Sequence, residues 1–151
     1  MRISEILAPE RIRCDVHATS KKQALEALSE LLARNLTDSA SVFDCLQARE
    51  RLGSTGLGRG VAIPHGRLPQ LTRAVGAFVK IAEGVDFDAP DGEPVDLLFG
   101  LLVPQSSTKE HLQILSQLAE CFDQGCLREK LRASESAESV FEVLTSLASP
   151  S

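Results

Sequence analysis

The stretch VDLLFGLLVP, Val95 to Pro104, decides the fold, because apart from Asp96 and Gly100 it is apolar up to Val103. A strand that is apolar at both odd and even positions has to be covered on both faces, which is the condition of a central strand in a layered α/β domain. The run is far too short to cross a bilayer, which takes about 20 residues, and Pro104 stops it. Upstream, Asp91-Gly92 reads as a turn, and Val75 to Ile81, with Val75, Ala77, Val79 and Ile81 alternating, reads as a strand. Val61 to Ile63 reads as a short strand, and Ile12, Cys14 and Val16 alternate with Arg13 and Asp15 as in a half-buried one. Between these segments the apolar period lengthens to about 3.6.

The helical segments carry their own start and stop signals. Ile3 to Leu7 predicts a short helix. Ser20 with Gln23 forms a capping box before Ala24, Leu25, Leu28, Leu31 and Leu32, which mark one face of a helix ending near Arg34. A second helix is expected from about Ser41 to Arg51, on Val42, Cys45, Leu46 and Arg49, with Leu52-Gly53 ending it. After the central strand, Ser107 with Glu110 forms another capping box. The helix it opens is expected to turn Leu112, Leu115, Leu118, Ala119 and Phe122 to the core and to stop at Gly125. A short helix at Leu127 to Arg132 follows, then a last one from Ala137 to Leu147 with Val140, Phe141, Val143, Leu144 and Leu147 on its apolar side and a frayed end at Ser149 to Ser151. The expected product is one α/β domain spanning residues 1–151, a central mixed β-sheet flanked by helices on both faces.

Composition narrows the class. At 151 residues and 43% apolar content the chain builds one core. Glu5, Pro9 and Glu10 interrupt the N-terminal stretch, so it does not read as a secretory signal, and a cytoplasmic location is expected. Cys14, Cys45, Cys121 and Cys126 follow no metal or disulfide spacing and read as reduced, mostly core residues. A net charge of −5 argues against nucleic acid or an anionic membrane as partner and favours a basic protein.

Chemistry concentrates in RERLGSTGLGRGVAIPHGRL, Arg49 to Leu68. Gly53, Gly56, Gly58 and Gly60 allow positive φ and close approach of backbone N–H groups to an anion. Pro64 and Gly66 bracket His65, which is expected at an exposed, rigid turn at a strand end. An imidazole beside oriented N–H donors suits the acceptance of a phosphoryl group. Other glycine-loop chemistries fail on spacing. Arg59 and Gly60 stand where a P-loop needs Lys and Ser/Thr, Gly56, Gly58 and Gly60 are spaced G-x-G-x-G rather than as a dinucleotide fingerprint, and Ser54 directly follows Gly53, unlike a hydrolase elbow. His65 and His111 lack further ligands at metal-binding spacing, so neither metal nor cofactor is expected.

The string GSTGLGRGVAIPHGRL, together with VDLLFGLLVP and TKEHLQILSQLA (Thr108 to Ala119), resembles the mannitol/fructose class of enzyme IIA, type 2, in the bacterial phosphoenolpyruvate-dependent phosphotransferase system, and looks closest to its nitrogen-regulatory branch. The resemblance covers the chain from about Ile3 to Leu147. It implies that His65 is the phosphoacceptor and that the donor is a small phosphocarrier protein bearing a phosphohistidine. The donor's basic, apolar face would meet an acidic, partly apolar rim here.

Two further residues follow. His111, in the first turn of a helix and at the edge of its apolar face, is expected as a neutral ring that donates one hydrogen bond, because the helix macrodipole disfavours imidazolium there. The resemblance places such a histidine across the site from the acceptor. Arg49 ends its helix, and its planar fork suits phosphate oxygens; the resemblance assigns it, rather than Arg51, to the phosphoryl site. Ser54, Thr55 and Gly56 are candidate phosphoryl-binding donors. Arg59 and Arg67 read as rim charges and His17 as a surface residue. The chain ends at Ser151 without a IIB-like segment, which favours a phosphorylation-dependent regulator of partner proteins such as transporters or kinases. The alternative is a fructose- or mannitol-specific IIA that passes phosphate to a IIB domain.

Overall fold

The structure, a computed structural model, describes residues 3–34, 36, 38–106 and 108–147. In chain order the elements are α1 (Ile3–Ile6), a 3-10 turn (Pro9–Arg11), β1 (Ile12–Val16), α2 (Lys21–Ala33), α3 (Ser39–Glu50), β2 (Gly56–Gly58), β3 (Val61–Ala62), β4 (His65–Leu68), β5 (Val75–Val85), β6 (Val95–Pro104), α4 (Thr108–Phe122), α5 (Gly125–Ala133) and α6 (Ala137–Leu147).

The apolar run is indeed the central strand. β6 pairs antiparallel with β5 on one side, and on the other runs parallel to β3 and then to β4, in the sheet order β1-β5-β6-β3-β2. β1 runs parallel to β5, which makes the sheet mixed. The period of two sorts the strand residues between two cores. Ala77, Val79, Leu98 and Leu102 pack with Leu28, Leu32, Val42 and Leu46 of α2 and α3. Phe78, Leu97, Phe99 and Leu101 pack with Ile114, Leu118 and Phe122 of α4, Leu127 and Leu131 of α5, and Val140 and Leu144 of α6. The Phe122 ring lies parallel to Phe78 at 6.5 Å and edge-on to Phe99 at 6.2 Å. Each such fully buried side chain contributes about 1.5–3 kcal/mol of transfer free energy.

Several local expectations need correction. β5 is buried on both faces from Val75 to Val79 and runs on past Ile81 to Val85, through the exposed Ala82, Glu83 and Gly84. At the start of α2, Ser20 accepts from the Gln23 N–H, but the Gln23 side chain reaches one residue further out, to the Thr19 N–H at 2.7 Å. α3 begins at Ser39, since the Asp38 carboxylate accepts from the Ser41 N–H at 2.8 Å and caps the helix two residues early. Gly125 does not stop α4, which ends at Phe122; it opens α5.

The largest difference is the phase of α4. Its buried stripe is His111, Ile114, Leu118, Cys121 and Phe122, while Leu112 is 61% exposed and Leu115 is half-buried. The sequence reading hung the stripe on Leu112 because it is apolar; the core-facing place belongs to the neighbouring histidine. Ser107 of the expected capping box, the Leu147 side chain and residues 149–151 lie outside the described residues.

Candidate functional site

Residues 61–68 form an interrupted strand alongside β6. β3 pairs Val61 and Ala62 with Leu97 and Leu98, and β4 pairs His65 to Leu68 with Leu101 to Pro104. The ladder breaks between them at Ile63-Pro64, where proline has no N–H to give. The break turns the Ile63 carbonyl toward the His65 ring, and Nδ1 lies 2.8 Å from it. A carbonyl only accepts, so Nδ1 carries the proton and Nε2 keeps the lone pair. His65 therefore opens a strand and is half-buried, rather than sitting on an exposed turn.

Strand alternation then fixes its neighbours. Gly66 points the other way, into α3, where the Cys45 sulfur lies so close that a Cβ at residue 66 would overlap it. Arg67, two residues from His65, is on the same side and donates from Nε to His111 Nδ1 at 3.3 Å. Arginine has no acceptor, so the neutral His111 ring carries its proton on Nε2. That Nε2 is the one buried side-chain nitrogen or oxygen without a hydrogen-bond partner among the described residues. The two imidazoles meet edge to face, with centroids 5.1 Å apart at 72°.

Both rings are held neutral. Burial pushes the His111 pKa down to about 4, with help from His65, Arg67 and Arg49. For His65 burial is again the main cause of a lowered pKa; Arg49 and Arg67 add to it, while the Ile63 carbonyl and Glu50 oppose it. The neutral His111 expected from its helix position is present, with burial as its main cause. The charges acting on the rings are mainly cationic, so the acidity of the chain as a whole is not expressed here.

Arg49 lies in the last turn of α3 and donates from Nη1 to the Gly53 carbonyl at 2.8 Å, which ties the helix end to the glycine segment. That segment is a short β-ribbon, not an open anion cradle. β2 pairs antiparallel with β3, and Gly58 and Gly60 take φ of 92° and 82° around the turn, with Arg59 at 58° between them. The expected donors are already engaged, by Phe87, by Glu50 of α3 and by one another. Ser54 Oγ donates to the Phe87 carbonyl and accepts from the Gly56 N–H, and the Thr55 N–H and hydroxyl both donate to the Glu50 carboxylate. Arg59 gives its N–H to Asp91, and its carbonyl accepts from Arg132. His17 is exposed beside Asp15, as expected of a surface residue.

Arg67, which the sequence placed at the rim, and Glu50 and Lys21, which it did not single out, stand around the site. Arg67 was legible once His65–Leu68 is read as a strand, because residues i and i+2 share a face. Glu50 and Lys21 gave no signal. The Glu50 side chain, 4% exposed, holds Thr55 and is paired with Lys21 Nζ at 2.8 Å. Leu52, Leu57 and Leu112, next in sequence to the site-bearing segments, are 84%, 46% and 61% exposed.

The structure thus brings together an imidazole with Nε2 unprotonated, a second imidazole with an unpaired N–H, and the charges of Arg49 and Arg67, a donor set with the chemistry to hold an anion. Residues 5–147 match the family model described as "Phosphoenolpyruvate-dependent sugar phosphotransferase system, EIIA 2". The chain is 47% identical over 147 residues to the nitrogen regulatory protein of Klebsiella oxytoca, covering 96% of this chain and 91% of that one. Among solved structures, nitrogen regulatory protein IIA-Ntr from Neisseria meningitidis superposes with a TM-score of 0.90 at 51% identity, covering 95% and 99% of the two chains. The mannitol IIA of Escherichia coli superposes with a TM-score of 0.77 at 26% identity, over 91% of this chain and 98% of the other. The chain belongs to the type-2 enzyme IIA family of the phosphoenolpyruvate-dependent phosphotransferase system, with high-identity relatives in its nitrogen-regulatory branch. No helix among the described residues is long and apolar enough to cross a membrane.

Proposed function

We propose that His65 Nε2 accepts a phosphoryl group from a phosphohistidine on a small phosphocarrier protein, and that the phosphorylated and unphosphorylated forms control different protein partners in the cytoplasm. The observation that carries this is the pairing of opposite tautomers: His65 keeps its lone pair on Nε2 because Nδ1–H is bound to Ile63, and the His111 ring, 5.1 Å away, has an Nε2–H without a partner. In the transfer the Nε2 lone pair attacks phosphorus in line, a P–N bond forms as the donor's P–N bond breaks, and the electron pair returns to the donor imidazole. Little covalent chemistry is required of the protein, so positioning and charge dominate. His111 Nε2–H and the Arg49 guanidinium spread the charge on the equatorial oxygens. Ser54, Thr55 and Gly56 act at one remove, by shaping the ribbon.

The nitrogen-regulatory reading is favoured over sugar carriage because the nitrogen regulatory proteins of Klebsiella oxytoca and Neisseria meningitidis stand at 47% and 51% identity, against 39% for the fructose-specific EIIA component of Haloferax volcanii and 26% for the mannitol IIA of Escherichia coli. The test is incubation with phosphoenolpyruvate, the general phosphotransferase enzyme and a phosphocarrier from either branch. One acid-labile, base-stable phosphoryl group is expected on wild type and none on His65→Ala. Undiminished incorporation in His65→Ala would falsify the assignment. Partner capture with the two phosphorylation states then tests regulation, since equal binding by both would remove the switch.

A further inference from the structure

We infer that Arg67 is a positioning residue that selects the tautomer of His111, so that the proton needed by the phosphoryl group stands on Nε2. The inference rests on the acceptor reading of His65 and goes beyond it, to what holds the second imidazole. An isolated neutral imidazole exchanges freely between its two tautomers, and in proteins the hydrogen bond made by one nitrogen decides the state of the other. Here the partner of Nδ1 is a guanidinium, which only donates. Nδ1 must therefore be bare, and the single ring proton must be on Nε2.

The consequence is visible in the packing. His111 is 5% exposed and its Nε2–H is left without a partner in a buried place, a state that costs free energy in the resting protein. Without Arg67 no hydrogen bond to either ring nitrogen would fix the tautomer. Arg67 removes that freedom by occupying Nδ1 with a donor. The geometry also explains why the side chain comes from residue 67: on β4 it shares a face with His65, while Gly66 turns away to α3. One strand thus carries both the acceptor and the group that orients the acceptor's neighbour.

The experiment uses the full chain, unphosphorylated, with labelled histidine, and reads ring tautomers from long-range proton–nitrogen correlation spectra. In wild type His111 is expected with bare Nδ1 and protonated Nε2. Arg67→Met is expected to move His111 to a tautomer mixture or to protonated Nδ1, and Arg67→Lys, which still donates, to keep the wild-type pattern. An unchanged tautomer in Arg67→Met, or a protonated Nδ1 in wild type, overturns the inference. Retained backbone amide spectra establish that the variants are folded. Because no phosphorylation is involved, this readout succeeds or fails independently of the acceptor assignment at His65. A second readout asks whether Arg67 acts through His111. Arg67→Met should slow phosphoryl acceptance roughly tenfold in the wild-type background, as for one hydrogen bond felt in the transition state, and less than about twofold when His111 is already Ala. An equal loss in both backgrounds would make Arg67 a direct phosphate ligand instead and refute the positioning role.

Discussion

Replacing Lys21 with Met tests whether the glycine ribbon is held from beneath by a buried ion pair. The Glu50 carboxylate, with its side chain 4% exposed, is anchored by the Thr55 N–H and hydroxyl and neutralised by Lys21 Nζ at 2.8 Å. Lys21 also sits 4.6 Å from the centre of the Phe87 ring. Removing one partner of a fully buried pair costs about 3–5 kcal/mol, because the other charge stays behind uncompensated. The Lys21 side chain is 22% exposed, so water replaces part of its effect, and the expected loss for Lys21→Met is about 2–3 kcal/mol. For a domain of this size that is a fall in Tm of roughly 4–12 °C. Glu50→Gln added to Lys21→Met should recover more than about 1 kcal/mol, since an amide oxygen still accepts from Thr55 and no bare charge remains. The assay is thermal and urea unfolding of the two single variants and the double, with exchange of the Thr55 amide as a local probe. Because Gly53 in the same ribbon holds Arg49, phosphoryl acceptance should slow in Lys21→Met as well. A loss below about 0.5 kcal/mol in Lys21→Met, or a double variant as unstable as the sum of the singles, would refute the latch.

Other perturbations separate the remaining pieces. Acceptance by His65 should be flat with pH above the ordinary imidazole value and fall as the solution becomes more acid, since its pKa is lowered and only the neutral ring has a lone pair on Nε2; a rate that rises on acidification contradicts this. Below the unfolded-state value near 6.5 the unfolded chain takes up the His111 proton first, so stability should decline as pH falls toward about 4, and His111→Gln should remove that part of the slope in pH-dependent unfolding. His111→Leu should slow phosphoryl acceptance yet raise stability by about 1 kcal/mol, because it removes an unpaired buried N–H from a core-facing position; thermal unfolding decides, and a loss above about 1 kcal/mol would show that the ring is structural. Gly66→Ala should cost about 1–3 kcal/mol by overpacking against the Cys45 thiol, with Cys45→Ala restoring most of it, as read from urea unfolding.

The sequence by itself determined the layers and marked the segment that carries the candidate site. An apolar run at Val95 to Val103 without a polar face required cover on both sides, and the flanking periods of two and 3.6 supplied strands and helices to do it. These are local patterns, and they survive because each element buries the face that its own spacing defines. Likewise the bracketing of His65 by Pro64 and Gly66 marked a special backbone, and Arg49 and His111 were named as its companions. Only the tertiary structure decided which face of α4 is inward. An apolar Leu112 and a polar His111 compete for one position, and the shape of the core beside His65 chose the histidine. It also decided that the glycine segment spends its N–H groups on Glu50, Asp91 and its own ribbon, because hydrogen-bond partners 5 and 32 residues away cannot be read from a loop's composition. The tautomers were decided in the same way. Which nitrogen of an imidazole holds the proton depends on what faces the other one, and for His111 that is Arg67, a residue 44 positions away that reaches the ring only when β4 lies beside β6 and α4 is in place.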